Sequence, residues 1–270
     1  ENMGTNNFLT ISSKWEYVLP PSRPTVYELQ RIESIVSLFD KKKPVAVLGS
    51  TIEFRTLLNR SGFQDIYIFE KNMDFYKWTC EWCAYGVENE RVIEGDWCNT
   101  ISLFIEKFQF VLSDLTMGNI EYGKRDKFYN DISNSLQYGG LFIDKVLTNE
   151  KRLISLGEIG DKYRNLPINL ETVNMFNCEA LFGSELLEDG IINTTIFYET
   201  LRKTYKNDKV LTKFVEKCHL ITPEGCVWYY GVAWEKLRND YFAYYRSSTV
   251  IDDIEGSPYY GRTKQFVNIK

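Results

Sequence analysis

Apolar positions change rhythm along this chain. Between Tyr27 and Phe39, the residues Tyr27, Leu29, Ile32, Ile35, Val36 and Phe39 recur at spacings near three and four. That is the period of one helix face, and it predicts a helix following the stretch Leu19-Pro20-Pro21-Ser22-Arg23-Pro24. From Pro44 onward, short apolar runs alternate with amphipathic stretches. Strands are predicted over 44–48, 66–69, 91–93, 108–112 and 141–146, with helical segments up to Asn59 and over 73–85, 101–107 and 125–136. Ser61-Gly62 and Gly139-Gly140 read as breaks between them. Residues 149–205 are less regular, with helices and a turn at Glu188-Asp189-Gly190. A helix and then aromatic strands, ending over Gln265–Ile269, are expected in the remainder.

Strand–helix alternation of this kind calls for a parallel sheet with right-handed crossovers and helices on both faces. The expected class is α/β, with a doubly wound, mostly parallel sheet. Three segments are expected: an N-terminal helical lid (1–43), a core (44–148), and a C-terminal α/β region (149–270) that completes the sheet and caps it. No internal repeat interrupts this plan.

Composition narrows the function classes. A 44% hydrophobic, 15% aromatic chain of 270 residues can bury a bulky core. The formal net charge is -5, and Lys and Arg are scattered. A nucleic-acid partner would call for a basic face that displaces phosphate counterions. No run approaches the ~18 apolar residues of a membrane span. Glu1 to Asn7 is polar and lacks a signal-peptide core, and six cysteines at irregular spacings do not form a disulfide framework. The expectation is a soluble, cytoplasmic protein with a small-molecule partner, no nucleic acid and no membrane.

In open α/β sheets ligands lie outside the carboxyl ends of the strands, so those ends carry the candidate chemistry. The first strand runs into Leu48-Gly49-Ser50-Thr51-Ile52-Glu53-Phe54-Arg55. A glycine there lets a ligand approach the backbone at the start of a helix, or makes a plain turn capped by Ser50 or Thr51. The G-x-G-x-x-G dinucleotide fingerprint is absent. Glu70 ends the second strand about 20 positions on, where a carboxylate can hold ribose hydroxyls, or simply stand exposed. Asp96-Trp97 follows the third strand; an acid beside an aromatic ring suits adenine, or a half-buried turn. The fourth strand opens into Ser113-Asp114-Leu115-Thr116-Met117-Gly118-Asn119, whose polar groups either face a reacting centre or cap a helix.

Taken in order, these strand ends resemble the class I S-adenosylmethionine-dependent methyltransferases, and more narrowly a subgroup whose glycine motif reads leucine-glycine-x-threonine-proline-glutamate-leucine-arginine. Leu48, Gly49, Thr51, Glu53 and Arg55 match it; Ile52 stands where proline is usual and Phe54 where leucine is. Gly95-Asp96-Trp97, then Asp114 and Asn119, fit the same subgroup, and Trp15, Pro20-Pro21 and Arg23-Pro24 resemble its lid. The resemblance implies a Rossmann-like fold and S-adenosylmethionine as cofactor, with S-adenosylhomocysteine as product. It implies that Gly49 and Ser50 pass under the methionine moiety, with Glu53 or Arg55 steadying the turn or meeting the amino-acid end. Glu70 would take the ribose, Asp96 and Trp97 the adenine, and Asp114 the amino group, with Asn119 nearer the acceptor. Asp114 and Asn119 are thus the candidates closest to the chemistry.

Other candidates are weaker. Cys80-Glu81-Trp82-Cys83 is a lone CxxC inside a predicted helix, whereas a structural zinc needs four ligands; free thiols are expected. His219 is the single histidine, which argues against a multi-histidine metal site or a histidine-based hydrolase. For the substrate, Trp15, Tyr17 and Arg23 are placed over the cofactor mouth. Arg246 or Arg262 is expected to meet an anionic acceptor among the distal aromatics Trp228, Tyr229, Tyr230, Trp234, Tyr241 and Tyr259. Those aromatics are also ordinary strand residues. Three functions remain open: a methyltransferase acting on O or N of a small molecule, a lyase or aminocarboxypropyl transferase using the same cofactor, and a non-catalytic scaffold.

Overall fold

In the computed structural model, residues 15–148, 153–187, 190–230, 233–253 and 261–270 are described. Unbroken burial marks the centre of the sheet. Every residue of β1 (Val45–Leu48) and β2 (Ile66–Glu70) is buried, as expected of parallel strands covered on both faces. Beside them lie β3 (Glu90–Glu94), β4 (Phe108–Asp114) and β5 (Leu136–Leu147). The chain closes with β8 (Ser247–Asp252) and β9 (Thr263–Ile269). The seven strands follow the order β3-β2-β1-β4-β5-β9-β8. The first five are parallel, while β9 runs antiparallel to both β5 and β8.

Alternate side chains point to opposite faces. Val45, Val47, Ile68, Phe110, Leu112 and Ile143 face α1 (Val26–Val36) and α2 (Ile52–Arg60). Ala46, Leu48, Phe69, Val111, Phe142 and Val146 face α5 (Arg125–Ser135) and α10 (Trp234–Phe242). Between β5 and β8 the chain leaves the sheet. There α6 (Leu156–Tyr163), α7 (Leu170–Phe182), α8 (Thr194–Tyr205) and α9 (Lys209–Cys218) pack around Ile159, Tyr163, Phe176, Tyr198 and Phe214. A short antiparallel pair, β6 (Ile191–Asn193) with β7 (Val227–Tyr229), belongs to this cap.

The pattern-based elements differ from the structure in four places. After β2, α3 spans only Met73–Cys80, five residues short of the predicted end at 85; turns follow. The helix expected over 101–107 begins earlier, because the Asp96 side chain accepts from Cys98 N and caps α4 (Trp97–Thr100). A single 3-10 turn, Ile101–Leu103, then ends it. β5 starts at Leu136 and runs through Gly139-Gly140, where Gly139 takes φ +75° and the register against β4 shifts. Tyr241 ends a helix and packs edge-on to Tyr129, so this aromatic stretch is not a strand.

A buried carboxyl lies within the α5–α10 face, beside Ser113 of β4. Asp144 on β5 is fully buried and accepts from Tyr241 Oη at 2.6 Å, while its Oδ1 has no hydrogen-bond partner. Burial raises its pKa to about 7. A carboxyl whose pKa is higher folded than unfolded favours the fold at acid pH, and that contribution is lost as pH rises towards the folded value. Asp144→Asn, which keeps an acceptor for Tyr241, is therefore expected to flatten the pH dependence of stability. Chemical denaturation should show the wild type losing on the order of 2–3 kcal/mol more than the variant between pH 5 and pH 8.

Candidate functional site

The carboxyl ends of β1, β2 and β3 draw several predicted residues together. Gly49 takes φ +79°, a conformation open to glycine, and donates its N–H to Phe69 O at 2.8 Å. A Cβ at Gly49 would stand 3.8 Å from the Trp97 ring, so the indole lies across the turn. Ser50 Oγ donates to Glu70 Oε2 at 2.9 Å, and Glu70 Oε1 accepts from Asn72 N at 2.8 Å. Burial raises the Glu70 pKa, and these hydrogen bonds pull it back. Asp96 stands beside Trp97, with Oδ1 engaged by the N-terminus of α4 at 2.9 Å.

A second group gathers beyond β4 on the α1–α2 side. Lys145 Nζ, on a side chain 2% exposed, lies 3.1 Å from Glu28 Oε2 and 3.5 Å from Asp114 Oδ1. It also donates to Arg23 O at 2.9 Å. Arg23 in turn pairs with Glu53 at 2.5 Å. Glu28 closes the capping box of α1 with Thr25, so the helix start and the buried lysine share one carboxylate. Three carboxylates thus meet two cations, and two carboxylate oxygens, Glu53 Oε2 and Asp114 Oδ1, are buried without a hydrogen-bond partner. Burial pushes the Asp114 pKa up to about 7; Lys145 pulls it down, and Glu28 and Glu53 add to the rise. Burial works against the Lys145 charge, but Asp114 and Glu28 outweigh it and raise its pKa.

Immediately after Asp114, Leu115 adopts φ +57°. A left-handed, non-glycine residue costs about 1–3 kcal/mol and is characteristic of functional loops. The turn it makes buries Thr116 to Gly118 and leaves Asn119 exposed.

The N-terminal segment is tied to the cap by hydrogen bonds. Asn174 of α7, 5% exposed, donates Nδ2 to Tyr17 O at 2.9 Å and accepts from Leu19 N at 3.1 Å. Between β4 and α5, Tyr122 Oη donates to the cap carbonyls Gly190 O and Tyr230 O at 2.9 and 2.5 Å. The Tyr230 ring presses on Gly118, where a Cβ would lie 2.1 Å from it.

Other predicted residues lie elsewhere. Arg55 is fully buried and turned away from the Gly49 turn: its guanidinium pairs with Glu90 at 2.8 Å and donates to Thr79 Oγ1 and Cys80 Sγ. It braces α2 against α3 and β3. Arg246 contacts Tyr138 Oη at 3.4 Å, at the amino end of β5 and so at the opposite edge of the sheet. It is therefore removed from any acceptor bound at the strand tips. Arg262 lies beyond the carboxyl end of β5, but its buried guanidinium donates to Phe182 O at 3.0 Å and braces the end of α7. The Trp15 side chain and residues 258–260 lie outside the described residues.

None of the six cysteines is in a disulfide, and burial raises the Cys83 pKa to about 11. His219 stacks on Tyr198 at 3.8 Å within the cap. Among the described residues no group of His, Cys, Asp and Glu could hold a metal ion, and no helix is long and apolar enough to cross a membrane.

Sequence patterns passed over Glu28 and Lys145. A usable signal existed for one of them: Asp144-Lys145 interrupts an otherwise apolar run from Leu141 to Leu147.

No family profile matches the chain, and no curated protein does. Solved structures do match. A candidate zinc-dependent alcohol dehydrogenase from Rhodobacter sphaeroides is 15% identical, with TM-score 0.56, over 97% of this chain and 99% of its own. The PH0226 protein of Pyrococcus horikoshii OT3 is 14% identical, with TM-score 0.52, over 95% and 99%. The chain has a Rossmann-like α/β fold. At these identities the likeness is one of fold alone. A phosphoethanolamine N-methyltransferase 2 from Haemonchus contortus, solved with phosphomonomethylethanolamine and S-adenosylhomocysteine, is 15% identical, with TM-score 0.49; this chain spans 61% of it.

The Arg55–Glu90 pair, with both side chains 0% exposed, predicts a large structural effect. Removing one partner of a buried pair leaves the other charge uncompensated and costs about 3–5 kcal/mol. Glu90→Gln should lower unfolding stability by that order in urea titrations. A loss below about 1 kcal/mol, the range of exposed pairs, would show that the pair is not holding α2 to β3.

Proposed function

We propose that the chain is an S-adenosylmethionine-dependent methyltransferase that alkylates an oxygen or nitrogen of a small-molecule acceptor and releases S-adenosylhomocysteine. One observation carries the reading: beside the Gly49 turn, among the described residues, Glu53 Oε2 and Asp114 Oδ1 are buried without a hydrogen-bond partner, Asp114 Oδ1 having only the Lys145 ammonium 3.5 Å away. Carboxylate oxygens with unused acceptor capacity, three carboxylates against two cations, suit a cationic donor with several N–H groups, and the ammonium of an amino-acid moiety is such a donor. The absence of a G-x-G-x-x-G fingerprint and the antiparallel β9 both separate this site from the all-parallel dinucleotide-binding arrangement.

When bound, the cofactor supplies a sulfonium methyl. That methyl would be available for transfer to an acceptor lone pair, with a neutral thioether as the leaving group and the acceptor proton going to solvent. The residues of the chain serve to position and desolvate. Gly49 and Ser50 give the backbone under the amino-acid end. Glu53 and Asp114 take the ammonium, Glu70 the ribose hydroxyls, and Asp96 with Trp97 the adenine. Asn119, on the turn after β4, stands on the acceptor side, and Tyr17 and Arg23 belong to the lid over the mouth. In this reading residues 1–43 are the lid, 44–148 the cofactor core, and 149–270 the cap and the completion of the sheet. Holding both reactants in line, away from water, can supply much of the rate.

Thermal-shift titration with S-adenosylmethionine and S-adenosylhomocysteine tests binding, and product mass separates methyl transfer from lyase or aminocarboxypropyl chemistry. Stabilisation by neither compound, in folded protein, sinks the reading. Glu70→Ala and Asp96→Ala should each weaken binding by around 1–3 kcal/mol, the scale of a lost hydrogen bond to a charged group.

Asp114 adds a pH signature. Only its ionised form attracts an ammonium, and its pKa is about 7, so S-adenosylhomocysteine affinity should tighten as pH rises from 6 to 8. Asp114→Asn should remove that dependence and weaken binding at pH 8 by roughly 10- to 100-fold. A flat wild-type profile in calorimetry would contradict the assignment.

A further inference from the structure

The parallel strands begin at the end of the sheet opposite the proposed cofactor site, and apolar side chains stand out from that end. Among the described residues the four most exposed large hydrophobics are Leu38, Tyr138, Ile105 and Leu103, at 85%, 84%, 76% and 75%. All four belong to the entries of adjacent strands. Leu38 lies between α1 and β1, Leu103 and Ile105 on the run into β4, and Tyr138 where the β5 register shifts near its start. β1, β4 and β5 are neighbours in the sheet, and neighbouring strands stand about 4.8 Å apart. Hydrogen bonds lock the three entries together. Gln109 Nε2 donates to Asp40 O at 2.8 Å, and Gln137 Nε2 to Lys107 O at 3.0 Å. Beside Ile105, Glu106 takes φ +48° while its N–H donates to Asn134 O at 2.8 Å. A left-handed, non-glycine residue of this kind is characteristic of functional loops.

Cations surround these tips. Lys41, Lys42 and Lys43 follow Leu38, Lys107 follows Ile105, and the Arg246 guanidinium lies 5.3 Å from the Tyr138 ring centre. Lys42, Lys43 and Arg246 are exposed, and among the described residues no carboxylate lies within ion-pair distance of them. The acids at the same entries are Asp40 and Glu106. Nearby, Arg60 and Glu33 pair with each other, as do Arg91 and Asp65. Five cations thus stand against two acids, on a chain whose formal net charge is -5. The local sign is the reverse of the overall one.

We propose that this end of the sheet docks the chain on an anionic lipid surface, with Leu38, Leu103, Ile105 and Tyr138 entering the boundary between headgroups and acyl chains and the five cations meeting lipid anions. No helix among the described residues could cross a membrane, but lying on a bilayer needs only apolar tips beside cations. The same features separate the possible occupants. Nucleic acid offers phosphates but no apolar medium for aliphatic tips. A second copy meeting this face across a two-fold axis would set Lys42 and Lys43 among like charges. A bilayer interface accepts both features, and tyrosine suits it because its ring is apolar and its hydroxyl wet. A chain docked in this way turns the Gly49, Glu70 and Asp114 tips away from the lipid. The inference therefore stands apart from the methyl-transfer reading.

Co-sedimentation of the full chain with vesicles tests the proposal, comparing phosphatidylcholine alone with an equal mixture of phosphatidylcholine and phosphatidylserine. The mixed vesicles should bind at least about tenfold more strongly, the scale of a few surface cations meeting anionic lipid, and added salt should weaken that binding. Lys42→Glu combined with Lys43→Glu should abolish the difference between the two vesicles. Leu38→Ser combined with Ile105→Ser should weaken binding to the mixed vesicles by at least about tenfold, because the buried apolar area is lost. All four side chains are exposed, so these variants keep the fold. Lys209→Glu combined with Lys213→Glu, at exposed positions on α9, makes the same charge change on the cap and should leave vesicle binding intact. No preference for the mixed vesicles, a preference that survives the Lys42 and Lys43 pair, or one that falls equally in the cap pair overturns the proposal. Binding of a DNA duplex, or self-association, that these variants abolish in place of vesicle binding overturns it as well.

Discussion

A single ammonium inside the sheet, that of Lys145, sets the arrangement of everything above the strand tips. It rises from β5, meets Asp114 at the end of β4, Glu28 at the start of α1, and the Arg23 carbonyl in the lid. Three chain segments that diverge in sequence are thereby held at one point. Desolvating a lysine is costly, and here the cost is offset only because two carboxylates converge on it. Lys145 in turn lets Glu28 and Asp114 lie close in a dry site, with the Asp114 pKa poised near neutrality. Arg23 extends the network to Glu53. The result is a buried cluster with three carboxylates to two cations, and the proposed binding of a cationic ligand group rests on that imbalance.

Much of the fold was legible because the inner strands are buried on both faces. Apolar runs such as Val45–Leu48 and Ile66–Phe69 need only bulk hydrophobicity to be recognised. The elements that escaped depend on local hydrogen bonds or on tertiary context. Asp96 capping moved α4 upstream, a glycine-tolerant bulge let β5 pass Gly139-Gly140, and packing on Tyr129 placed Tyr241 in a helix. Side-chain placement divided in the same way. The closeness of Ser50, Glu70 and Trp97 was legible because they occupy strand tips next to one another. Lys145 and Arg125 were not, since their partners Glu28 and Tyr229 lie 117 and 104 positions away. Arg55 reads as part of the glycine motif in sequence, yet Glu90 draws it into the interior, where it stabilises α2 rather than touching the Gly49 turn.

The lid and the cap have different attachments. Asn174 joins them through two backbone hydrogen bonds, and Arg23 fastens the lid to α2. The cap has its own core around Tyr163, Phe176 and Phe214. It reaches the sheet through the polar contacts of Tyr122 and Arg125 and through Tyr230 over Gly118. The strained Leu115 lies at that junction.

The central claim is that buried carboxylates at the β1 and β4 tips hold the amino-acid end of an adenosyl cofactor. Calorimetric comparison of S-adenosylhomocysteine with 5′-methylthioadenosine, which keeps the nucleoside but lacks the amino-acid end, tests it most directly. At pH 8 the amino-acid-bearing compound should bind at least about tenfold tighter, the scale of one or more charge-assisted hydrogen bonds. Equal affinity for the two would contradict the account.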